Sequence, residues 1–151
     1  LCGPGNNGGD GLVISQGLKK LNQSVILYSL KSMTYKGDAK IAYKKNQLTK
    51  NNYNDLNIPK NSVIIDCLFG IGLNRKVKGM YKNIIKKVNN SKQHVISIDI
   101  PSGINGNNGK IMGEAIKANS TYTLHAKKIG LTVNSGMKYS GKVSIIDIGI
   151  K

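Results

Sequence analysis

Three glycine-bearing stretches each carry one acid: "CGPGNNGGDG" with Asp10, "DCLFGIGLNRK" with Asp66 and "DIPSGING" with Asp99. Carboxyl groups brought together at one place are raw material for acid/base chemistry. The same stretches offer other oxygen donors, the amides of Asn6 and Asn7 and the hydroxyl of Ser102, and sets of this kind suit hard cations. A soft-metal site has no comparable support. His94 opens a strand-like run, His125 stands alone, and neither forms a ligand cluster with Cys2 or Cys67. The chain holds seven acids, Asp10, Asp38, Asp55, Asp66, Asp99, Glu114 and Asp147, so three of them at glycine-bearing loops is a concentration.

Each acid also has a plainer reading, Asp10 as a helix N-cap and Asp66 and Asp99 as turn formers at strand ends. What separates the readings is whether the three meet. The spacing of Leu12, Ile14, Leu18 and Leu21 predicts a helix from about residue 10 to 22 with Asp10 capping its first turn. "SVILYSL" from Ser24 has strand length, "GDAKIAYKKNQL" from Gly37 reads as a second helix, and the Asn-rich residues 50–60 read as a loop. "SVIIDCLFG" predicts a strand ending at Asp66, "YKNIIKKVNN" a helix, and "HVISIDIPSG" a strand ending at Asp99. "STYTLHA" and "KVSIIDIGI" add two later strands.

Strands alternating with helices predict an α/β fold with a mostly parallel sheet. The apolar runs 63–65 and 95–98 suit strands covered on both faces. In such sheets ligands bind beyond the carboxyl ends of the strands, where all three acids are expected to converge.

A net charge of +16 raises the question of a nucleic-acid partner. The distribution argues against it. Arg75 is the one arginine and the lysines run through every segment beside abundant asparagine, which reads as a solvated lysine surface. A positive field of that breadth still attracts phosphate-bearing ligands. The 151 residues predict one domain, residues 1–151, and no apolar run approaches the roughly 20 residues that span a bilayer. With only Cys2 and Cys67, a disulfide scaffold is not expected and a reducing intracellular compartment, cytoplasmic or organellar, fits better. "LCGPG" reads as the end of a strand begun upstream, so the chain looks truncated and any targeting segment lies out of view.

Gly3, Gly5 and Gly8 satisfy the G-x-G-x-x-G spacing of a dinucleotide fingerprint, and such a loop brings backbone and a helix N-terminus to a phosphate. The other half of that fingerprint is missing. An NAD cradle wants an acid about 20 positions on to hold the ribose, whereas the second strand here ends in "YSLKS". An oxidoreductase is therefore the weaker reading.

The motifs "CGPGNNGGDGLV", "DCLFGIGL", "SIDIPSGING", "KANSTYTLHAKKIGL" and "VSIIDIGI" resemble, in order, those of the YjeF N-terminal domain family, the NAD(P)HX epimerases. The resemblance implies a Rossmann-like three-layer α/β/α sandwich, here lacking the family's N-terminal helical segment. It implies interconversion of the R and S forms of hydrated NADH and NADPH, a damaged cofactor. The product would pass to an NAD(P)HX dehydratase, and members often pair as homodimers.

Carried over by position, Asn6, Asn7, Gly8, Gly9 and Asp10 would bind the substrate, as would Gly70, Ile71, Gly72, Leu73, Asn74, Arg75 and Lys76. Asp99 would contact its reacting end. A potassium ion would sit on Asn7, Asp66 and Ser102. Ile71 replaces the threonine of the usual "FGTGL" pattern and removes a hydroxyl. On this reading Asp99 is the catalytic acid/base, and Asp10 or Lys128 positions or assists it. The rival is a non-catalytic protein- or RNA-binding module of the same fold, which would have been free to lose Asp10, Asp66 or Asp99.

Overall fold

The structure, a computed structural model, describes residues 1–149, so Ile150 of "KVSIIDIGI" and Lys151 lie outside the described residues. The first three residues occupy the middle of the fold. Cys2 bridges in parallel to Ser29 on one side and to Cys67 on the other. Its amide donates to the Tyr28 carbonyl at 2.9 Å, and the Gly3 amide donates to that of Cys67 at 3.0 Å.

Around this stub lie two parallel sheets. One pairs β1 (Leu27–Tyr28) with β2 (Lys50–Asn51). The other runs β3 (Val63–Asp66), β4 (His94–Ile98), β5 (Ser120–Leu124), β6 (Lys142–Ile146), each strand pairing with the next. Read through Cys2, the order is β2–β1–stub–β3–β4–β5–β6, and the chain leaves the stub in one direction and later returns to its other side. That is a topological switch point, where the ends of neighbouring strands open a crevice.

Side chains alternate along a strand, and the alternation sorts the layers. Ile64 and Val95 are register partners that join the buried cluster of α3 (Gly79–Asn90), to which that helix contributes Ile84, Ile85 and Val88. Each of those three is worth roughly 1.5–3 kcal/mol buried. Cys67, of opposite parity, faces α1 (Asn6–Lys20): a methyl group on Gly11 would fall 2.7 Å from Cys2 Sγ and 3.0 Å from Cys67 Sγ. α2 (Gly37–Lys45) packs beside α1, closing the second layer, so the chain is a Rossmann-like α/β/α sandwich. The short α4 (Asn134–Tyr139) follows a 3₁₀ turn at residues 129–131. Among the described residues no helix is long and apolar enough to cross a membrane.

Several boundaries differ from the sequence reading. The first helix begins at Asn6, not near Asp10, because Gly5, at φ 85°, turns the chain and the Asn-Asn-Gly-Gly run is itself helical. Asp10 therefore sits in the second turn and caps nothing. β1 is only two residues long because its partner β2 is, and Ile26 beside it is exposed. Residues 50–60 are not all loop, since they hold β2 and a 3₁₀ turn at residues 53–55. α2 stops at Lys45; Asn46 instead turns its amide onto the Leu12 carbonyl at 2.7 Å. Val63, at the opening of its strand, is exposed rather than covered.

Candidate functional site

Among the described residues the helix N-terminus at Asn6 has no side-chain cap, and its first turn holds no acid, so its leading amides are left without side-chain partners. The glycines that follow hold that terminus in place. A methyl group on Gly8 would lie 1.8 Å from the Gly3 carbonyl oxygen, and one on Gly9 2.9 Å from Ala39 Cβ. Gly8 and Gly9 thus set the helix against the stub and α2 and do not face the cleft. Their place in the motif is packing, which in turn aims Asn6, Asn7 and Asp10.

A cleft of about 740 Å³ opens at this end of the sheet. It collects Asn6, Asn7 and Asp10 from α1, residues 70–75 from the loop after β3, and Asp99 and Lys128 from the loops after β4 and β5. Of the expected contacts, Lys76 stays outside the lining. Pro4, Gly5, Phe69, Leu124 and Ile148 line it without having been singled out by sequence. Ile148 had a readable signal, since it follows the last strand and therefore lies at the same edge.

Asp99 is held from several directions. Its backbone takes φ 70°, a left-handed conformation that costs an L residue energy and recurs at functional sites. Its amide donates to the Tyr122 carbonyl at 2.7 Å, and its Oδ1 lies 2.5 Å from Lys128 Nζ. Lys128 also donates to the Leu124 carbonyl at 2.6 Å. Asp10 is half-buried, and that burial, reinforced by the charge of Asp99, raises its carboxyl above the ordinary aspartate range.

Asp66 does not line the cleft. It is fully buried behind it and accepts four hydrogen bonds, from Ser97 Oγ at 2.8 Å, Ser102 N at 2.9 Å, Ser102 Oγ at 2.6 Å and Leu68 N at 3.2 Å. Ser102 Oγ accepts in turn from the Phe69 amide at 2.9 Å, so the carboxylate ties the loop after β3 to the loop after β4. Asn7 is the exception in this ordered surround: it is 7% exposed, yet among the described residues neither atom of its amide has a hydrogen-bond partner. It lies near Asp99, for a methyl group on Gly70 would come within 3.3 Å of Asn7 Cβ and 3.4 Å of Asp99 Oδ2. An orphaned buried amide whose oxygen has no donor suits a hard, oxygen-seeking cation as a ligand.

Cys2 and Cys67 are both free and buried, and burial pushes both thiols up. They are packing groups under Gly11.

Residues 1–130 match the family described as YjeF-related protein N-terminus. The NAD(P)H-hydrate epimerase of Oenococcus oeni is 37% identical over 155 residues, covering 99% of this chain and 73% of that protein. That of Lentilactobacillus buchneri is 39% identical over 155 residues, covering 99% and 71%. The bifunctional NAD(P)H-hydrate repair enzyme Nnr of Dictyoglomus turgidum is 36% identical over 159 residues, covering 99% of this chain and 30% of its own length. Among solved structures, the crystal structure of yeast ynu0, YNL200c, superposes with a TM-score of 0.74 at 20% identity, over 97% of this chain and 63% of the yeast chain, a likeness of fold. With this cleft, these matches and that fold, the chain belongs to the YjeF N-terminal family.

Proposed function

We propose that this chain is an NAD(P)H-hydrate epimerase, an isomerase that interconverts the R and S forms of hydrated NADH and NADPH. The observation that carries the reading is Asp99, a cleft-lining residue in a left-handed backbone conformation, held by the Tyr122 carbonyl, Lys128 and the Leu124 amide. The reacting carbon is a hemiaminal next to the ring nitrogen. Losing its hydroxyl gives an iminium, and water returning on the opposite face gives the other epimer. Both steps need a proton donor and acceptor beside that carbon, which is the role of Asp99. The uncapped N-terminus of α1 suits the pyrophosphate, and Arg75 and Lys128 add positive charge to the lining.

Asn7, Asp66 and Ser102 would hold a potassium ion. Bound there, it would supply positive charge to the cleft and reinforce the tie between the two loops that Asp66 and Ser102 join. Coupling to an NAD(P)HX dehydratase follows from the chemistry, because one epimer must be drawn off for repair to proceed. The test is to incubate the protein with spontaneously hydrated NADH and a dehydratase specific for the S form. Consumption of the R form faster than its unaided epimerisation supports the reading; a rate equal to the unaided one overturns it.

A further inference from the structure

Inversion at one carbon moves protons on both faces of the ring, which two carboxyls serve more directly than one. The departing oxygen needs a proton on one face of the ring, and the arriving water must lose one on the other. Asp99 is fixed at the end of β4, its backbone bonded to Tyr122 and one oxygen bonded to Lys128. It is therefore committed to one side. Asp10 reaches the same cleft from α1, a different element in the layer that covers one face of the sheet. Among the described residues its carboxyl has neither an ion-pair nor a hydrogen-bond partner, which leaves it to address a ligand.

Resting on the epimerase reading, we infer that Asp10 is a second catalytic residue, the proton donor and acceptor for one face of the hydrated carbon, with Asp99 serving the other. The environments of the two carboxyls are unequal in the way such a division needs. Asp99 is ion-paired to Lys128 at 2.5 Å, whereas the Asp10 carboxyl, unpaired among the described residues, is raised by burial and by the charge of Asp99. Pairs of carboxyls whose surroundings push them apart divide acid and base roles between them.

In one direction Asp10 gives its proton to the hydroxyl, the C–O bond breaks with its electron pair leaving on water, and the nitrogen lone pair forms the C=N bond. Water then attacks the other face, the C=N pair returns to nitrogen, and the surplus proton passes to Asp99. The turnover moves one proton from Asp10 to Asp99, and exchange with solvent resets the pair. The reverse reaction uses the same groups with roles exchanged.

The experiment uses the two purified hydrated-NADH epimers in ¹⁸O-labelled water, reading label and configuration together. The unmutated chain should incorporate one solvent oxygen per inversion. Asp10→Asn should stop inversion yet still exchange label into one epimer with retention, through Asp99 alone. Asp99→Asn should exchange label into the opposite epimer only. Asp10→Glu, which keeps the carboxyl, should recover part of the inversion and guards against a folding defect in Asp10→Asn. Inversion by Asp10→Asn within a few-fold of the unmutated rate overturns the inference while leaving the epimerase reading intact. So does exchange of the same epimer by both Asn variants, or of neither. If the unmutated chain itself does not accelerate inversion, it is the epimerase reading that fails.

Discussion

Lys128 Nζ lies 2.5 Å from Asp99 Oδ1 while its other hydrogen bond, to the Leu124 carbonyl at 2.6 Å, ties it to the end of β5. The lysine is thereby anchored to the strand next to the one that ends at Asp99. It positions the carboxylate as well as compensating its charge, and both partners are largely shielded from water, so the contact is screened less than a surface pair. Lys128→Met should lower kcat by about 10²-fold, the low end of what proton-transfer groups contribute. KM should move far less. Lys128→Arg, which keeps the cation, should retain more activity than the Met variant, and steady-state kinetics of the two against the unmutated chain checks both statements.

Asp99→Ala removes the group at the reacting carbon. Epimerisation should fall by on the order of 10²–10⁴-fold with the circular dichroism spectrum unchanged. Full retention of activity sinks the assignment.

Asp10 makes an opposite demand on stability. Its carboxyl is raised in the folded chain, so between its unfolded and folded pKa values the native state binds more protons than the unfolded one. Stability then declines as pH rises through that window and stays lower above it. Asp10→Asn carries no such charge and should melt above the unmutated chain at neutral pH. The advantage should vanish below the ordinary aspartate range, where both states are protonated. Thermal melts of the two proteins from pH 3 to pH 8, a range chosen to bracket roughly the ordinary aspartate pKa, follow the difference.

The parallel sheet and the meeting of Asp10 with Asp99 were legible in the sequence because strand ends and glycine loops are local signals. Periodicity and turn chemistry place Asp66 and Asp99 at strand ends without any knowledge of packing. The start of α1 was not legible, because Asn-Asn-Gly-Gly has poor intrinsic helix propensity. It is helical here because Gly8 and Gly9 admit backbone contacts that any side chain would block, a tertiary reason invisible along the chain. The retreat of Asp66 behind the cleft was equally hidden, since a carboxylate is buried only when donors such as Ser97 and Ser102 arrive from another strand and loop.

The close approach at Gly8 is testable. A methyl group placed 1.8 Å from the Gly3 carbonyl oxygen meets backbone, which does not swing aside as a side chain does. Gly8→Ala should therefore cost at least the 1–3 kcal/mol typical of overpacking, a fall of several degrees or more in Tm. Gly72→Ala, at a position with nothing within 4 Å of the added carbon, should leave Tm nearly unchanged. Equal Tm for the two variants removes the packing account of this loop.

Asn7 separates the cation from the proton chemistry. Its amide is buried without a partner, so an ion bound there gains a ligand and relieves an unsatisfied group in one step. Replacing potassium by lithium should raise KM for hydrated NADH with a smaller change in kcat, because the smaller ion does not span the same oxygens. Asn7→Leu keeps the bulk and removes the amide oxygen; it should lose its response to potassium while melting no lower than the unmutated chain, since no hydrogen bond is broken. Potassium activation that survives unchanged in Asn7→Leu moves the ion away from this residue and overturns its place in the cation site.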